Sequence, residues 1–167
     1  MTLLFSPEQL EIRKTGTKIL LAVEPPEVLT RLVPTPEDRK RVLAAQARMA
    51  KAREMHIVSA AGTDFYCPLG EFAPIAEYGF VEEPGRWDHW PSGFALTFPN
   101  DGMAYGRIVI DQGDILLPQK SYLQERIELT VERGFATRIE GGSDAQLLSE
   151  YMATLNDKKA YAISHIG

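Results

Sequence analysis

A single cysteine, Cys67, leaves no internal disulfide for these 167 residues to form. That fits a reducing, cytoplasmic setting. Histidine is scarce too. His56, His89 and His165 lie far apart, with no HxH or HExxH spacing. This argues against a complete histidine-rich metal site within the chain alone. No apolar run approaches the length of about 18 residues that a membrane helix needs, so no membrane span is expected. The opening Met1-Thr2-Leu3-Leu4-Phe5 is too short for a signal peptide and lacks its basic flank. Positive charge is also in deficit, with 18 Lys and Arg against 23 Asp and Glu, a net charge of −5. The balance favours solubility and argues against a nucleic-acid partner, which usually needs a basic face. Repeats, low-complexity tracts and an evident linker are all missing. What remains is an ordinary globular composition, 44% hydrophobic and 25% charged. Its length suits one domain, 1–167, with a buried core.

The local patterns alternate between helix and strand. Ser6-Pro7-Glu8-Gln9 opens a helix, with Ser as cap and Pro in the first turn, and Gly16 suits its stop. Lys18 to Val23 is a short apolar run expected as a buried strand. Pro25-Pro26 opens a short helix carrying Val28, Leu29 and Leu32. Pro34-Thr35-Pro36-Glu37-Asp38 breaks it and caps a longer helix to about residue 54, with Val42, Ala45, Met49 and Ala52 on one face. His56 to Ser59 and Phe65 to Leu69 read as strands around a Gly62-Thr63-Asp64 turn. Residues 70–92 show no clear period and read as a long, aromatic-rich loop. Strands follow over Phe94 to Phe98, Met103 to Asp111 and Ile115 to Leu117. Glu125 to Glu132 alternates apolar and polar, and Phe135 to Ile139 returns as its hairpin partner. Gly141-Gly142-Ser143-Asp144 caps a helix striped by Leu147, Leu148, Tyr151, Met152 and Leu155. A last short strand, Ala160 to Ile163, leads into Ser164-His165. The fold class is α/β of the mixed α+β kind: a mixed sheet with antiparallel hairpins and flanking helices.

The densest chemistry is Gly85-Arg86-Trp87-Asp88-His89-Trp90-Pro91-Ser92-Gly93. Both tryptophans of the chain flank one of its three histidines. An imidazole is the usual proton shuttle near neutral pH, and aromatic walls can hold a flat ring against it. The plainer alternative is that Trp87 and Trp90 plug the loop onto the core while His89 bonds backbone. Glu77, in the same loop, either orients or deprotonates a substrate hydroxyl or is a solvated surface carboxylate. His165 follows an apolar strand, a placement shared by metal ligands and by structural histidines. Asp64 reads as a turn residue or a site contact, and Cys67 as a buried small hydrophobe. The 141–144 segment reads as a helix cap, with anion binding as the lesser alternative.

Several of these segments resemble the 2,5-dihydroxypyridine 5,6-dioxygenase family, whose fold is similar to that of the M29-type leucyl aminopeptidases. They are Gln9-Leu10 with Gly16 to Leu20, Glu24 to Leu29, Gly62-Thr63-Asp64, Gly85 to Gly93, Glu140 to Ala145, and Ala160-Tyr161 through Ser164-His165-Ile166-Gly167. The GRWDHWPSG and terminal SHIG stretches are the specific ones. The resemblance implies an extradiol-type dioxygenase of nicotinate and nicotine breakdown. Such an enzyme uses one Fe(2+) and dioxygen to open a small aromatic substrate, 2,5-dihydroxypyridine, to N-formylmaleamic acid. It further implies His165 as an iron ligand, His89 as a substrate-binding or acid/base residue, Glu77 as another substrate contact, Trp87 as part of the substrate loop, and a homo-oligomer.

The chain departs from the family in one respect. Family chains are longer, and their remaining iron ligands, including a His-x-Asp pair, lie downstream of the SHIG stretch. No histidine follows His165 here, whereas a mononuclear iron site needs roughly three protein ligands. The expectation is a fragment of the catalytic domain, or a truncated product, that does not hold catalytic iron tightly alone. Two further readings stay open: a metal-dependent aminopeptidase of the same fold, and a non-catalytic scaffold domain.

Overall fold

The computed structural model describes residues 6–22, 24–117 and 119–167. The Met1–Phe5 opening, and Val23 at the end of the expected first strand, lie outside them. The Gln9 amide donates to the Ser6 hydroxyl (3.2 Å) and fixes the start of α1 (Pro7–Lys14). β1 (Ile19–Ala22) and a single helical turn, α2 (Pro26–Leu29), follow. Thr35 and Asp38 cap each other's amides reciprocally and open α3 (Pro36–Met49). Then come β2 (Glu54–Val58), β3 (Asp64–Pro68), β4 (Ile75–Glu77), β5 (Trp87–Trp90) and β6 (Phe94–Leu96). β7 (Tyr105–Ile110), β8 (Ile115–Leu116), β9 (Ser121–Tyr122), β10 (Ile127–Glu132) and β11 (Phe135–Gly141) complete the strands. α4 (Ser143–Thr154) and a 3-10 turn (Lys158–Tyr161) follow them. Helices and antiparallel hairpins are mixed, with one parallel strand pair, as the sequence implies.

The described residues fall into two compact units. The first comprises described residues up to 50, with 74–96 and 167. It holds two small sheets: β1 parallel to β5, and β4 antiparallel to β6. Val42 of α3, Ala76, Tyr78 and Ala95 form its buried cluster, with Met49 and Phe80 packed against them. Gly85 ties the loop before β5 to α1. Its amide donates to the Gly16 carbonyl (3.0 Å), and its carbonyl accepts from Arg13 Nε (2.7 Å). A side chain at Gly85 would press on the Arg13 carbonyl, and φ is +72°. Glycine is therefore required there.

The second unit comprises 51–73 and 97–166. Its five-stranded sheet has the order β11-β10-β7-β3-β2, antiparallel throughout. Arg133 and Gly134, both at positive φ, make the two-residue β10–β11 turn. The alternation of β10 sends Ile127 and Val131 inward; they are 0% and 1% exposed. Phe65, Cys67, Leu69, Ala104, Val131 and Ile166 form one core cluster. Leu116, Leu123, Ile127 and Ala145 form another, below α4. Burial pushes the Cys67 thiol up to about 11. It is the small buried hydrophobe its neighbours suggest, not a nucleophile.

Five local expectations change. The long helix ends at Met49, because Glu54–Val58 pair with β3. β1 is not buried: Leu20 and Leu21 are exposed, since the strand has one partner and no layer covers it among the described residues. The 70–92 segment contains two strands, β4 and β5, in place of an irregular loop. α4 packs through Ala145 and Leu148, leaving Leu147, Tyr151 and Leu155 outward. The expected strand at 160–163 is a 3-10 turn, opened where the Asp157 carboxylate accepts from the Lys159 amide (2.9 Å). Only Ala162 and Ile166 make isolated bridges there, to Phe135 and Thr97.

Candidate functional site

β5 carries the WDHW residues, and strand alternation sorts them. Trp87 and His89 share one face, Asp88 and Trp90 the other. Trp90 Nε1 donates to the Leu32 carbonyl (2.7 Å), so this tryptophan does anchor the segment. Trp87 lies beside His89, ring centroids 5.7 Å apart, and Phe94 of β6 stands 5.2 Å from the same imidazole. Glu77 of β4 pairs in register with Phe94. The two small sheets of the first unit thus bring Glu77, Trp87, His89 and Phe94 together.

Glu77 is not a solvated surface residue. It is 6% exposed, and its Oε2 lies 2.8 Å from His89 Nδ1. Nδ1 itself is buried, and the approach is an ion-pair contact without hydrogen-bond alignment. Burial, and then the negative charge of Asp88, push the Glu77 carboxyl up to about 7, against the opposing pull of Arg86. Glu77 therefore gains or loses a proton near neutral pH. Among the described residues no polar group reaches His89 Nε2, and 26% of the side chain is exposed. One nitrogen faces a buried carboxylate while the other faces outward. That arrangement suits an oriented general base.

Two residues that the sequence reading passed over hold this geometry. Asp88 is fully buried. Its Oδ2 accepts from the Tyr78 amide (3.0 Å) and Arg86 Nη2 (2.7 Å), and its Oδ1 from the His89 amide (2.8 Å) and Ser92 Oγ (3.2 Å). Arg86 also donates to the carbonyls of Phe80 (2.7 Å) and Ala76 (2.9 Å), and its guanidinium lies 3.8 Å from the Tyr78 ring centroid. The alternation of Arg86 and Asp88 with Trp87 and His89 is a period-two signal. The surrounding prolines and glycines mask it.

Glu77 and Trp87 also line a cleft of about 430 Å³ with Arg13, Gln46, Tyr78 and Arg86. His89 is not in its wall. A ligand of the imidazole therefore belongs on the Nε2 side and not in that cleft.

The remaining candidates lie in the second unit. His165 is exposed, with its ring edge-on to Phe98 at 6.4 Å. Asp64 Oδ1 accepts from His56 Nε2 (2.7 Å), and His56 stacks on Tyr66 at 3.9 Å. The 141–144 segment is a helix start whose anion comes from the chain itself. The Glu125 carboxylate accepts from the Ser143 amide (2.5 Å) and hydroxyl (2.8 Å). No group of three or more His, Cys, Asp or Glu able to hold a metal occurs among the described residues. His165 offers one donor and not a site.

Comparison with known proteins now bears on this geometry. A model of the 2,5-dihydroxypyridine 5,6-dioxygenase family matches residues 1–167. A curated relative from Pseudomonas putida KT2440, named 2,5-dihydroxypyridine 5,6-dioxygenase, is 57% identical over the whole chain. The chain spans 48% of that relative's length. The solved structure of 2,5-dihydroxypyridine dioxygenase from Pseudomonas putida KT2440 superposes with a TM-score of 0.95 at 56% identity, over 99% of this chain and 48% of that one. The wild-type AmpT structure from Thermus thermophilus matches at a TM-score of 0.51 and 19% identity, over 75% of this chain and 30% of that one. The latter is a likeness of fold alone.

Proposed function

The chain belongs to the 2,5-dihydroxypyridine 5,6-dioxygenase family, and from that premise we propose that it carries the substrate-handling residues of an extradiol-type dioxygenase. The substrate would be 2,5-dihydroxypyridine, opened between ring carbons 5 and 6. Both atoms of dioxygen would enter the product, N-formylmaleamic acid, so no external reductant is needed.

The observation that carries the reading is the Glu77–His89 pair, whose partly exposed imidazole has Trp87 and Phe94 beside it. His89 Nε2 takes the proton of a ring hydroxyl. Loss of that proton raises the electron density of the ring, which makes it more reactive toward oxygen. Glu77, behind Nδ1, stabilises the imidazolium that results. Trp87 and Phe94 supply flat apolar surface beside the pyridine and limit water at the imidazole. In this reading Glu77 acts on the substrate through His89.

The ferrous ion that the family resemblance implies would take His165 as one donor and would supply the activation of dioxygen. The described residues do not complete its site, and the family resemblance implies further donors beyond them. The test is oxygen uptake with 2,5-dihydroxypyridine, measured on this chain and on a full-length family protein carrying this sequence, each loaded with ferrous iron. The reading expects uptake and N-formylmaleamic acid from the full-length form only. Turnover by the chain alone, or none by the full-length form, contradicts it.

A further inference from the structure

The strands that carry Glu77 and His89 belong to different sheets. β4 pairs with β6, and β5 pairs with β1. No ladder joins β4 to β5, so some other contact must fix the 2.8 Å approach. We infer that Asp88 is the positioning residue of the Glu77–His89 pair, its buried carboxylate clamping the main chain of both strands at the residues that carry the pair. This rests on the reading of Glu77 and His89 as the substrate-handling residues.

The clamp is asymmetric. Oδ1 holds the His89 amide, and Oδ2 holds the amide of Tyr78, the residue that follows Glu77. Arg86 closes it, because Nη2 reaches both Asp88 Oδ2 and the Ala76 carbonyl, on the other side of Glu77. Glu77 is therefore bracketed by two main-chain contacts. Four donors on a carboxylate with no solvent exposure leave it no alternative arrangement. Its neighbour Arg86 removes the cost of an unpaired buried charge.

The charge of Asp88 acts on the pair as well. The charged groups around Glu77 are His89, Asp88 and Arg86. α3 turns its neutral Gln46 to the Pro74 carbonyl and its Arg39 to Glu82 and Glu83. α1 turns Arg13 to the Gly85 carbonyl, and β6 contributes Phe94, which carries no charge. Of the two fixed charges, Asp88 outweighs Arg86 at Glu77. Removing Asp88 must therefore make Glu77 release its proton more readily.

NMR titration of the Glu77 carboxyl tests this without any need for turnover. Asp88→Asn is expected to move the titration of the Glu77 carboxyl down by roughly one pH unit. A clamp that acted only as a strut would leave the titration where it was. Where Asp88→Asn does not fold, the double variant Arg86→Gln with Asp88→Asn leaves no unpaired buried charge. It is expected to shift the titration in the same direction by less. An unmoved titration in the folded variant overturns the inference. Failure of the dioxygenase reading shows separately, as a wild-type Glu77 that titrates near neutral pH in a full-length protein that does not consume 2,5-dihydroxypyridine.

Discussion

Glu77 Oε2 stands 2.8 Å from His89 Nδ1, between two strands that share no ladder. The contact turns a half-exposed histidine into a directed one. It leaves Nε2 as the nitrogen that meets a ligand.

The first prediction separates proton transfer from metal retention. In a full-length family protein carrying this sequence, His89→Ala should lower turnover by about 10²- to 10⁴-fold with iron retained. Glu77→Gln should lower it by about tenfold or more, again with iron retained. His165→Ala should lose iron. Metal analysis beside kinetics checks the division, and equal iron loss in all three variants would contradict it.

Glu77 also makes stability depend on pH. Its folded carboxyl titrates near 7 and its ordinary value is 4.5, so the folded state holds the proton that the unfolded state has released between those values. Stability from this group is full below the unfolded value and falls as pH rises toward 7. The loss is at most on the order of 3 kcal/mol. Urea unfolding of wild type and Glu77→Gln at pH 5 and pH 8 checks it. The variant should gain on wild type at the higher pH, and a difference independent of pH would exclude the effect.

Gly85 holds the site segment against α1 in a conformation that a side chain cannot share. Gly85→Ala should destabilise the protein by about 1–3 kcal/mol. The fluorescence of Trp87 and Trp90 should report loosening of this segment at lower denaturant concentration than in wild type.

The start of α4 is held by a carboxylate from outside the helix, Glu125 on the Ser143 amide and hydroxyl. Glu125→Ala should cost about 0.5–2 kcal/mol, the usual worth of a helix cap. Hydrogen exchange at Ser143 and the next turn checks this, because the faster exchange should be confined to the start of α4.

Legibility in the sequence followed the strength of local pattern. The β10–β11 hairpin was readable, because Ile127, Leu129 and Val131 alternate cleanly and Arg133-Gly134 turns. α1 and α3 were readable from Ser6 and from the Thr35–Asp38 box. β4 and β5 were hidden. They are three and four residues long and are separated by Gly79, Pro84 and Gly85, too short to show a period. For the site, His89, Glu77 and Trp87 stood out as chemistry-bearing types in one segment. Their mutual geometry did not, because it depends on Asp88 taking the amides of both Tyr78 and His89. A buried carboxylate bonded to backbone leaves no local signature beyond an aspartate between aromatic residues. The exposed setting of His165 was equally invisible, since it depends on a 3-10 turn replacing the expected strand.

The most direct test of the account is the ultraviolet absorption of 2,5-dihydroxypyridine bound anaerobically, at neutral pH, to an iron-loaded full-length family protein carrying this sequence. Wild type should bind the pyridine with a hydroxyl ionised, Glu77→Gln should weaken that ionisation, and His89→Ala should bind it un-ionised. An equally ionised substrate on the His89→Ala variant would contradict the assignment of His89 as the base.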